Sequence, residues 1–439
     1  MNRSFSQFIH RCTEVVLAGF FVTLFIPLKL RLFEPDIFLS GDFNPYNVFY
    51  LYASDAFFLL ALFFIALQFF FVSHKTDDEI LNEFTIGDWP IILFFGLLIA
   101  VSLISFFVVT ASSEMLLFSW RWVEMLGLYY IVSRNILPLA TIARFFVWAM
   151  ILQSIMAGFQ YFHGSSLGLS FLGEPLLHIG EPGIATMTML SKTILRGYGT
   201  FLHPNIFAAY AIFGVFLSLL YRKTRPVFFS VAIGILVFGI IISFSRMALF
   251  ALIALFILSF FSKKKYFSTR VVSYSLFSIV GVLMAGFLSG LFSVLVERFQ
   301  FTDNAALQFR YANFIDGIHV FLNYPFGTGL GGSTTAMSMI SSMKFAPWQY
   351  QPAHNFFLVM SDELGVFGLI IVLVGTFFLY RNLYRDRQSY PLHFAIGVAF
   401  LCLSLTDHYF FTLYHGQILL VLFLSFLALA KRESSPSSH

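Results

Sequence analysis

Apolar stretches of about 20 residues recur along almost the whole of this 439-residue chain, and that recurrence decides what it can fold into. About 20 helical residues span the roughly 30 Å of bilayer hydrocarbon. No water satisfies the backbone there, so each run must pair its own N–H and C=O groups as a helix. A closed barrel would need short alternating segments, which the sequence lacks. The balance of 59% hydrophobic and 11% charged residues, with 61 phenylalanines, fits no soluble domain. The expected fold is all-α: a polytopic integral membrane protein, one membrane domain over residues 1–439, with about twelve transmembrane helices. The runs lie near 14–33, 47–73, 88–109, 115–133, 136–161, 203–221, 226–244, 247–262, 271–293, 355–380, 390–407 and 412–430.

Lysine and arginine orient these spans. Arg222-Lys-Thr-Arg225, Lys263-Lys-Lys265 with Arg270, Arg381 with Arg385 and Arg387, and Lys431-Arg432 fall in one set of loops, as do Arg3 and Arg11. These mark the cytoplasmic face, and an even span count puts both termini there. The N-terminal segment lacks a small-residue cleavage site and reads as a retained span. The net charge of +4 is spread over short loops, which argues against a nucleic-acid partner. Cys12 and Cys402 are far apart in sequence, and no four-ligand spacing is present, so neither a disulfide nor a metal site is expected.

Two longer polar segments then fall outside: residues 162–202, and a large loop at 294–353 between the ninth and tenth spans. Within the large loop, Leu307, Tyr311, Phe314, Ile318 and Phe321 step by fours and threes, which predicts an amphipathic helix. Asn323-Tyr-Pro325 stops it, and the glycines at 327, 329, 331 and 332 make a tight irregular turn. Such a helix would lie on the membrane surface or over the outer mouth of the bundle. These glycines follow no strand, so they are no dinucleotide fingerprint.

The outer face collects the residues that can carry chemistry. Arg246 stands between two apolar runs, where a guanidinium is costly unless it snorkels or finds an anion. Arg310 lies beside the stripe of the loop helix. With Arg298 or Arg196 they form a basic basin suited to a diphosphate, because Arg matches phosphate oxygens bidentately and keeps its charge. His354 opens an apolar helix after Pro352. The positive end of a helix dipole disfavours an imidazolium there, which suits a proton acceptor at neutral pH. Asn355 can share the duty of capping that helix. His203 and Asn205 precede the sixth span, and Asp407-His408 lies at the turn before the last, with His415 shortly after. Arg121 and Glu124, three apart, are expected to pair on one helix face.

With those residues in view, the chain resembles the O-antigen ligase and polymerase superfamily of bacterial envelope glycosyltransferases. Gly199-Thr-Phe-Leu-His-Pro-Asn205 is similar to its Gly-Thr-Phe-x-(His/Asn)-Pro-Asn element, and Ser245-Arg246-Met-Ala248 to its Ser-Arg-x-Ala element. Arg310 through Phe314, Pro325-x-Gly327-x-Gly329-x-Gly331 and His354-Asn355-x-x-Leu358 resemble its large outer loop, with Phe314 where the family often has Trp. The likeness covers roughly residues 195–375.

The resemblance implies a GT-C-like fold and a cofactor-free, metal-independent inverting glycosyltransferase. It would move a glycan from a polyprenyl (undecaprenyl) diphosphate carrier to an acceptor hydroxyl, on the outer, periplasmic face of the bacterial inner membrane. The acceptor would be a lipid A core for a ligase, another lipid-linked glycan for a polymerase, or a protein for an oligosaccharyltransferase relative. Arg246 and Arg310 would hold the diphosphate and His354 would activate or orient the acceptor, with His203, Asn205, Asn355, Arg196, Arg298, Asp407 and His408 in support. A competing reading is a lipid-linked sugar flippase or other multi-span transporter. That reading needs polar groups near the bilayer midplane and repeat symmetry between halves. Arg121, Glu124 and Arg144 favour it; the dissimilar halves do not.

Overall fold

The computed structural model describes residues 3–32, 44, 46, 48–72, 89–108, 113–133, 135–189, 192–260, 304–341, 346 and 349–434. These residues are mostly helical. In chain order the helices are α1 (Arg3–Thr23), α2 (Ala53–Val72), α3 (Trp89–Val108), α4 (Ser113–Ser133), α5 (Leu139–His163), α6 (Pro204–Tyr221), α7 (Pro226–Ile242) and α8 (Arg246–Phe260). They continue with α9 (Asn304–Asn323), α10 (Ser333–Ile340), α11 (Phe356–Arg385), α12 (Pro391–Ser404), the single turn α13 (Tyr409–Thr412) and α14 (Tyr414–Ser434). Among the described residues there are also a 3-10 turn (Ser170–Leu172) and two small antiparallel strand pairs: β1 (Lys29–Arg31) with β2 (Tyr50–Tyr52), and β3 (Thr186–Met189) with β4 (Lys192–Leu195).

Proline punctuates the bundle where its missing N–H costs nothing, in the first turn of α6, α7 and α12. Five described helices are long and apolar enough to cross a membrane: α2, α3, α5, α6 and α11. Helices α7, α8 and α12 are apolar but shorter, as is the Tyr414–Leu429 stretch of α14. The first expected run, 14–33, is corrected: its helix starts at Arg3 and ends at Thr23, and the chain turns through Pro27 into β1, since proline cannot continue a helix. The expected ninth span at 271–293, the basic residues 263–265 and 270, and Arg298 lie outside the described residues.

The span of α6 is 89% buried whereas those of α2 and α3 are 22% buried, so α6 is the centre of the bundle and α2 and α3 its rim. Helix α6 earns that place with Ala208, Ala209 and Ala211, small side chains that let neighbours approach closely. Helix α7 lies against α5 and α6, and α12 packs along α8. In the core, Phe146 stacks on Tyr210 at 5.6 Å and Phe400 on Phe423 at 4.0 Å, the offset ring contacts that make aromatic packing specific.

Arg121 and Glu124 pair as expected, at 2.6 Å, but Asp55 of α2 joins them at 2.9 Å. The guanidinium also donates to the Tyr50 carbonyl and lies between the Phe49 and Tyr414 rings, 4.5 and 4.4 Å from their centroids. This cluster ties β2, α2, α4 and α14 together. Arg144 stays local, bonding Ala140 O and Thr141 Oγ1 one turn back.

Helix α9 forms where the loop helix is expected and ends at Asn323, and it packs inward through a face that includes polar residues. Asn313, Asp316, Gly317 and Val320 are buried, while Tyr311 is 68% exposed and Phe314 40% exposed. The cause is Gly317. A Cβ there would meet the Ala353 side chain at 3.0 Å and Leu358 at 2.9 Å, so the bare backbone lets α9 lie directly on the start of α11. Tyr311 and Phe314 are left facing outward.

Candidate functional site

Four connections meet at one end of the bundle: 196–205 before α6, 242–246 between α7 and α8, 352–355 before α11, and 405–412 between α12 and α14. Their side chains form a continuous chain of polar contacts. Arg196 donates from Nε to Ser243 O at 2.6 Å and from Nη2 to Asn205 Oδ1 at 2.8 Å. Asn205 Nδ2 donates to Asp407 Oδ2 at 2.8 Å. The other carboxylate oxygen accepts the His408 backbone N–H at 2.9 Å and lies 3.7 Å from His354 Nδ1 and 3.9 Å from His408 Nε2. The two imidazoles face each other with centroids 5.3 Å apart. Asp407, which a simple polar turn would explain in sequence, is therefore the hub.

Local caps release the residues that matter. Asn355 Oδ1 accepts the Phe357 and Leu358 N–H groups, each at 3.0 Å, and its Nδ2 donates to Leu405 O at 3.1 Å. His354 is thus free of capping duty. At α6 the roles fall differently from expectation. His203 is the cap, with Nδ1 accepting the Asn205 N–H at 3.2 Å, and Asn205 is the bridge. The His415 ring packs between Tyr52 and Phe201 at 5.3 and 5.8 Å, beside the Arg121 cluster.

Arg310 of α9 is half-buried, and its positive charge acts on both His203 and His408. Arg246 is half-buried as the first residue of α8, three positions after the Ser243 that accepts from Arg196. Between them Phe244 is held at φ 49°, a left-handed conformation that costs a bulky residue about 1–3 kcal/mol and turns the chain sharply into α8. Arg246 and Arg310 thus stand on two of the elements that frame the cluster.

Electrostatics separate the roles. Burial pushes His408 down to about 3, helped by the charges of His354 and Arg310 and opposed by Asp407. Burial, then Arg196, likewise pushes His203 down to about 3, and its unprotonated Nδ1 is what the cap requires. Burial alone would raise Asp407; the contact with His354 and the charges of His354, His408 and His203 offset it and hold the carboxyl well below its ordinary range. One ionised carboxylate thus faces two imidazoles.

His354, Asp407 and His408 each offer one ligand atom, all within 4.8 Å of one another. Zinc sites with ligand bonds of about 2.0–2.1 Å need edges of roughly 3.4 Å. The edges to Asp407, at 3.7 and 3.9 Å, exceed this by a few tenths of an ångström, and with the set spanning up to 4.8 Å the groups would have to close by as much as about 1.4 Å to hold an ion.

The glycine-rich turn is fastened to the first half of α11. Thr328 N donates to Asp362 O at 2.9 Å, Gly329 N to Glu363 O at 3.0 Å, and Val366 N to Pro325 O at 2.9 Å. The buried Glu363 side chain adds Gly331 N at 2.9 Å and Ser333 Oγ at 2.8 Å. Gly365 breaks α11 here, at φ 65° and ψ −157°, a conformation open essentially to glycine alone. Sequence reading missed Asp55, Asp362 and Glu363. The available signal was acidic residues inside apolar runs, which are costly and so mark a specific partner.

A polytopic helical bundle with a histidine–carboxylate centre and arginines at one end matches the class that the motifs suggest. Residues 231–373, about a third of the chain, match the family model described as O-antigen ligase, which supports membership of the O-antigen ligase/polymerase family. Arg246, Arg310, His354 and Asn355 fall inside the matched segment; Arg196, His203, Asn205, Asp407 and His408 fall outside it. No curated protein gives a significant match. The family implies a glycosyltransferase-like membrane enzyme acting on a lipid-linked glycan donor and a glycan acceptor.

Proposed function

We propose that this chain transfers a glycan from a polyprenyl diphosphate carrier to an acceptor hydroxyl, as an O-antigen ligase or polysaccharide polymerase, at the outer face of the bacterial inner membrane with both termini inside. The observation that carries the reading is the shared position of His354, Asp407 and the Arg310 charge in one polar cluster. His354 Nδ1 is buried 3.7 Å from Asp407 Oδ1 with no hydrogen-bond partner among the described residues; closing that gap when substrate binds would make Nδ1 the N–H side and leave Nε2 to accept a proton. The acceptor oxygen attacks the anomeric carbon as its proton passes to Nε2. The bond from that carbon to phosphate oxygen breaks, and the diphosphate leaves with the electron pair. Asp407 stabilises the imidazolium that forms. Arg246 and Arg310 offset the charge growing on the leaving group, where fixed cations act most strongly. No metal is required in this scheme, and a single displacement inverts the anomeric centre.

Each arginine would supply charge-assisted hydrogen bonds worth about 1.5–3 kcal/mol. Arg246→Ala and Arg310→Ala should therefore each weaken binding of a glycan–diphosphate–polyprenol donor by roughly 10- to 150-fold. Titration of purified protein in detergent measures this. Unchanged donor affinity in both variants removes the clamp and with it this assignment.

A further inference from the structure

His354, Asp407 and His408 together carry the donors of the zinc enzymes that use two histidines and one carboxylate. We infer that they form a site for a zinc-class divalent cation, and that an ion held there shuts the centre off; the inhibition rests on the transferase reading, the binding does not.

Each donor is prepared for a metal by its other contacts. Asn205 holds Asp407 Oδ2 at 2.8 Å, so Oδ1 is the oxygen that faces the two rings. Oδ1 accepts one backbone N–H, from His408, and a carboxylate oxygen has a second lone pair for an ion. His408 Nδ1 lies 2.6 Å from Thr412 Oγ1, whose hydroxyl reaches His408 O at 3.4 Å. With that hydroxyl donating to the carbonyl, the ring donates from Nδ1, and Nε2 carries its lone pair on the Asp407 side. Ligating histidines almost always have their other nitrogen engaged in this way. His354 Nδ1 is buried and has no hydrogen-bond partner among the described residues. A buried polar atom left so is costly, and an ion would relieve it.

His354 is the side chain that can close the remaining gap. Asp407 and His408 are each pinned by hydrogen bonds, whereas Nδ1 of His354 is not. A swing of about 30° at χ1 carries an imidazole nitrogen by roughly 1 Å. Zinc has no geometric preference from its d electrons and tolerates distorted angles. Magnesium and calcium want six or more oxygen ligands and find one carboxylate here. The Arg310 charge acting on His408, and Arg196 acting through Asn205, oppose any cation, which sets micromolar rather than tighter binding. The ligands stand on two connections far apart in the chain, so no spacing along the sequence announces them.

Occupation has a direct consequence for the chemistry above. An ion on Nδ1 leaves the neutral imidazole with its proton on Nε2. That nitrogen then has no lone pair for the acceptor's proton, and transfer stops.

The test uses the full untagged chain in detergent, stripped with EDTA that is then removed. Co²⁺ is the spectroscopic probe, because a low-coordinate cobalt ion absorbs visibly, and Zn²⁺ competes with it. One equivalent of cobalt should give the band and zinc should displace it. Micromolar zinc should also stop release of polyprenyl diphosphate, and EDTA should restore it. Asp407→Asn and His408→Phe should each abolish the band. Asn205→Ala and Thr412→Val, which remove only the ligands' partners, should weaken zinc by about 10- to 100-fold and serve should a ligand variant fail to fold. No band in folded wild-type protein overturns the site. A band that survives in every folded variant also overturns it and points to a surface pair such as His10 and Glu14, 3.6 Å apart. Zinc that binds without lowering turnover, or that raises it, overturns the inhibitory role. If the metal-free protein releases no polyprenyl diphosphate, the transferase reading falls while the cobalt band still decides the site.

Discussion

Asp407→Asn keeps the shape of the hub and turns one of its oxygens into a donor. Asn205 donates to Oδ2 at 2.8 Å and the His408 N–H donates to Oδ1 at 2.9 Å. Either orientation of the new amide therefore points its NH₂ at an existing buried donor. Leaving such a group unpaired costs about 1–3 kcal/mol of stability, a shift of several degrees at most in thermal unfolding. The kinetic cost should exceed it. An imidazolium forming on His354, with Nδ1 3.7 Å from Asp407, gains about 4 kcal/mol from the carboxylate at an effective dielectric of about 20. That corresponds to roughly a thousandfold in rate. With donor and acceptor saturating, release of polyprenyl diphosphate should fall by about 10²–10³ while the protein stays folded. A folded Asp407→Asn variant within tenfold of wild-type turnover would refute the role given to the carboxylate.

Arg121→Ala leaves Asp55 and Glu124 buried together and should lower stability by about 3–5 kcal/mol. Recovery of folded protein from detergent should drop sharply and return in part when Asp55→Asn and Glu124→Gln are added. Gly365→Ala places a Cβ against the Phe326 carbonyl carbon and Gly327 N in a glycine-only conformation, so it should cost about 1–3 kcal/mol or more and loosen the glycine turn. Limited proteolysis within 325–332 reads this directly. His203 and His408 titrate near 3 in the fold against an ordinary 6.5, so the unfolded chain binds protons that the fold refuses. Stability should then be level above about pH 7 and fall as pH drops from about 6.5 toward 3, by at most about 1.4 kcal/mol per pH unit for the buried His408. Asp407, also held low, adds a loss of the same sign only below its ordinary range. A thermal-unfolding series that is flat over that window contradicts these shifts.

Much of this arrangement was readable from the chain because helix in a membrane is nearly forced. The apolar runs, the proline starts of α6 and α7, and the stop at Asn323 follow from local rules. The Arg121–Glu124 pair follows too, since three residues place both on one face. The third partner, Asp55, does not, because it arrives from another helix. The inward face of α9 shows the same limit. Its 3–4 periodicity is plain, but which stripe turns inward depends on Gly317 meeting Ala353 and Leu358, a contact across 36 to 41 positions. The site divides in the same way. His354, Arg246 and Arg310 stand out as polar residues beside apolar runs. That Asp407 rather than a loop carboxylate completes the centre, with His203 as cap and Asn205 as bridge, depends on how α6, α11 and α12 end together.

The central claim is that His354 drives glycan transfer off a lipid diphosphate. The most direct measurement is turnover of a defined glycan–diphosphate–polyprenol by purified protein in detergent, with EDTA present and His354→Ala alongside. The account predicts release of polyprenyl diphosphate that survives EDTA and disappears in the variant. Activity abolished by EDTA and restored by a divalent ion would make His354, Asp407 and His408 ligands instead. No release with any acceptor, together with movement of the intact lipid-linked sugar across a liposome, would contradict the account and make the protein a flippase.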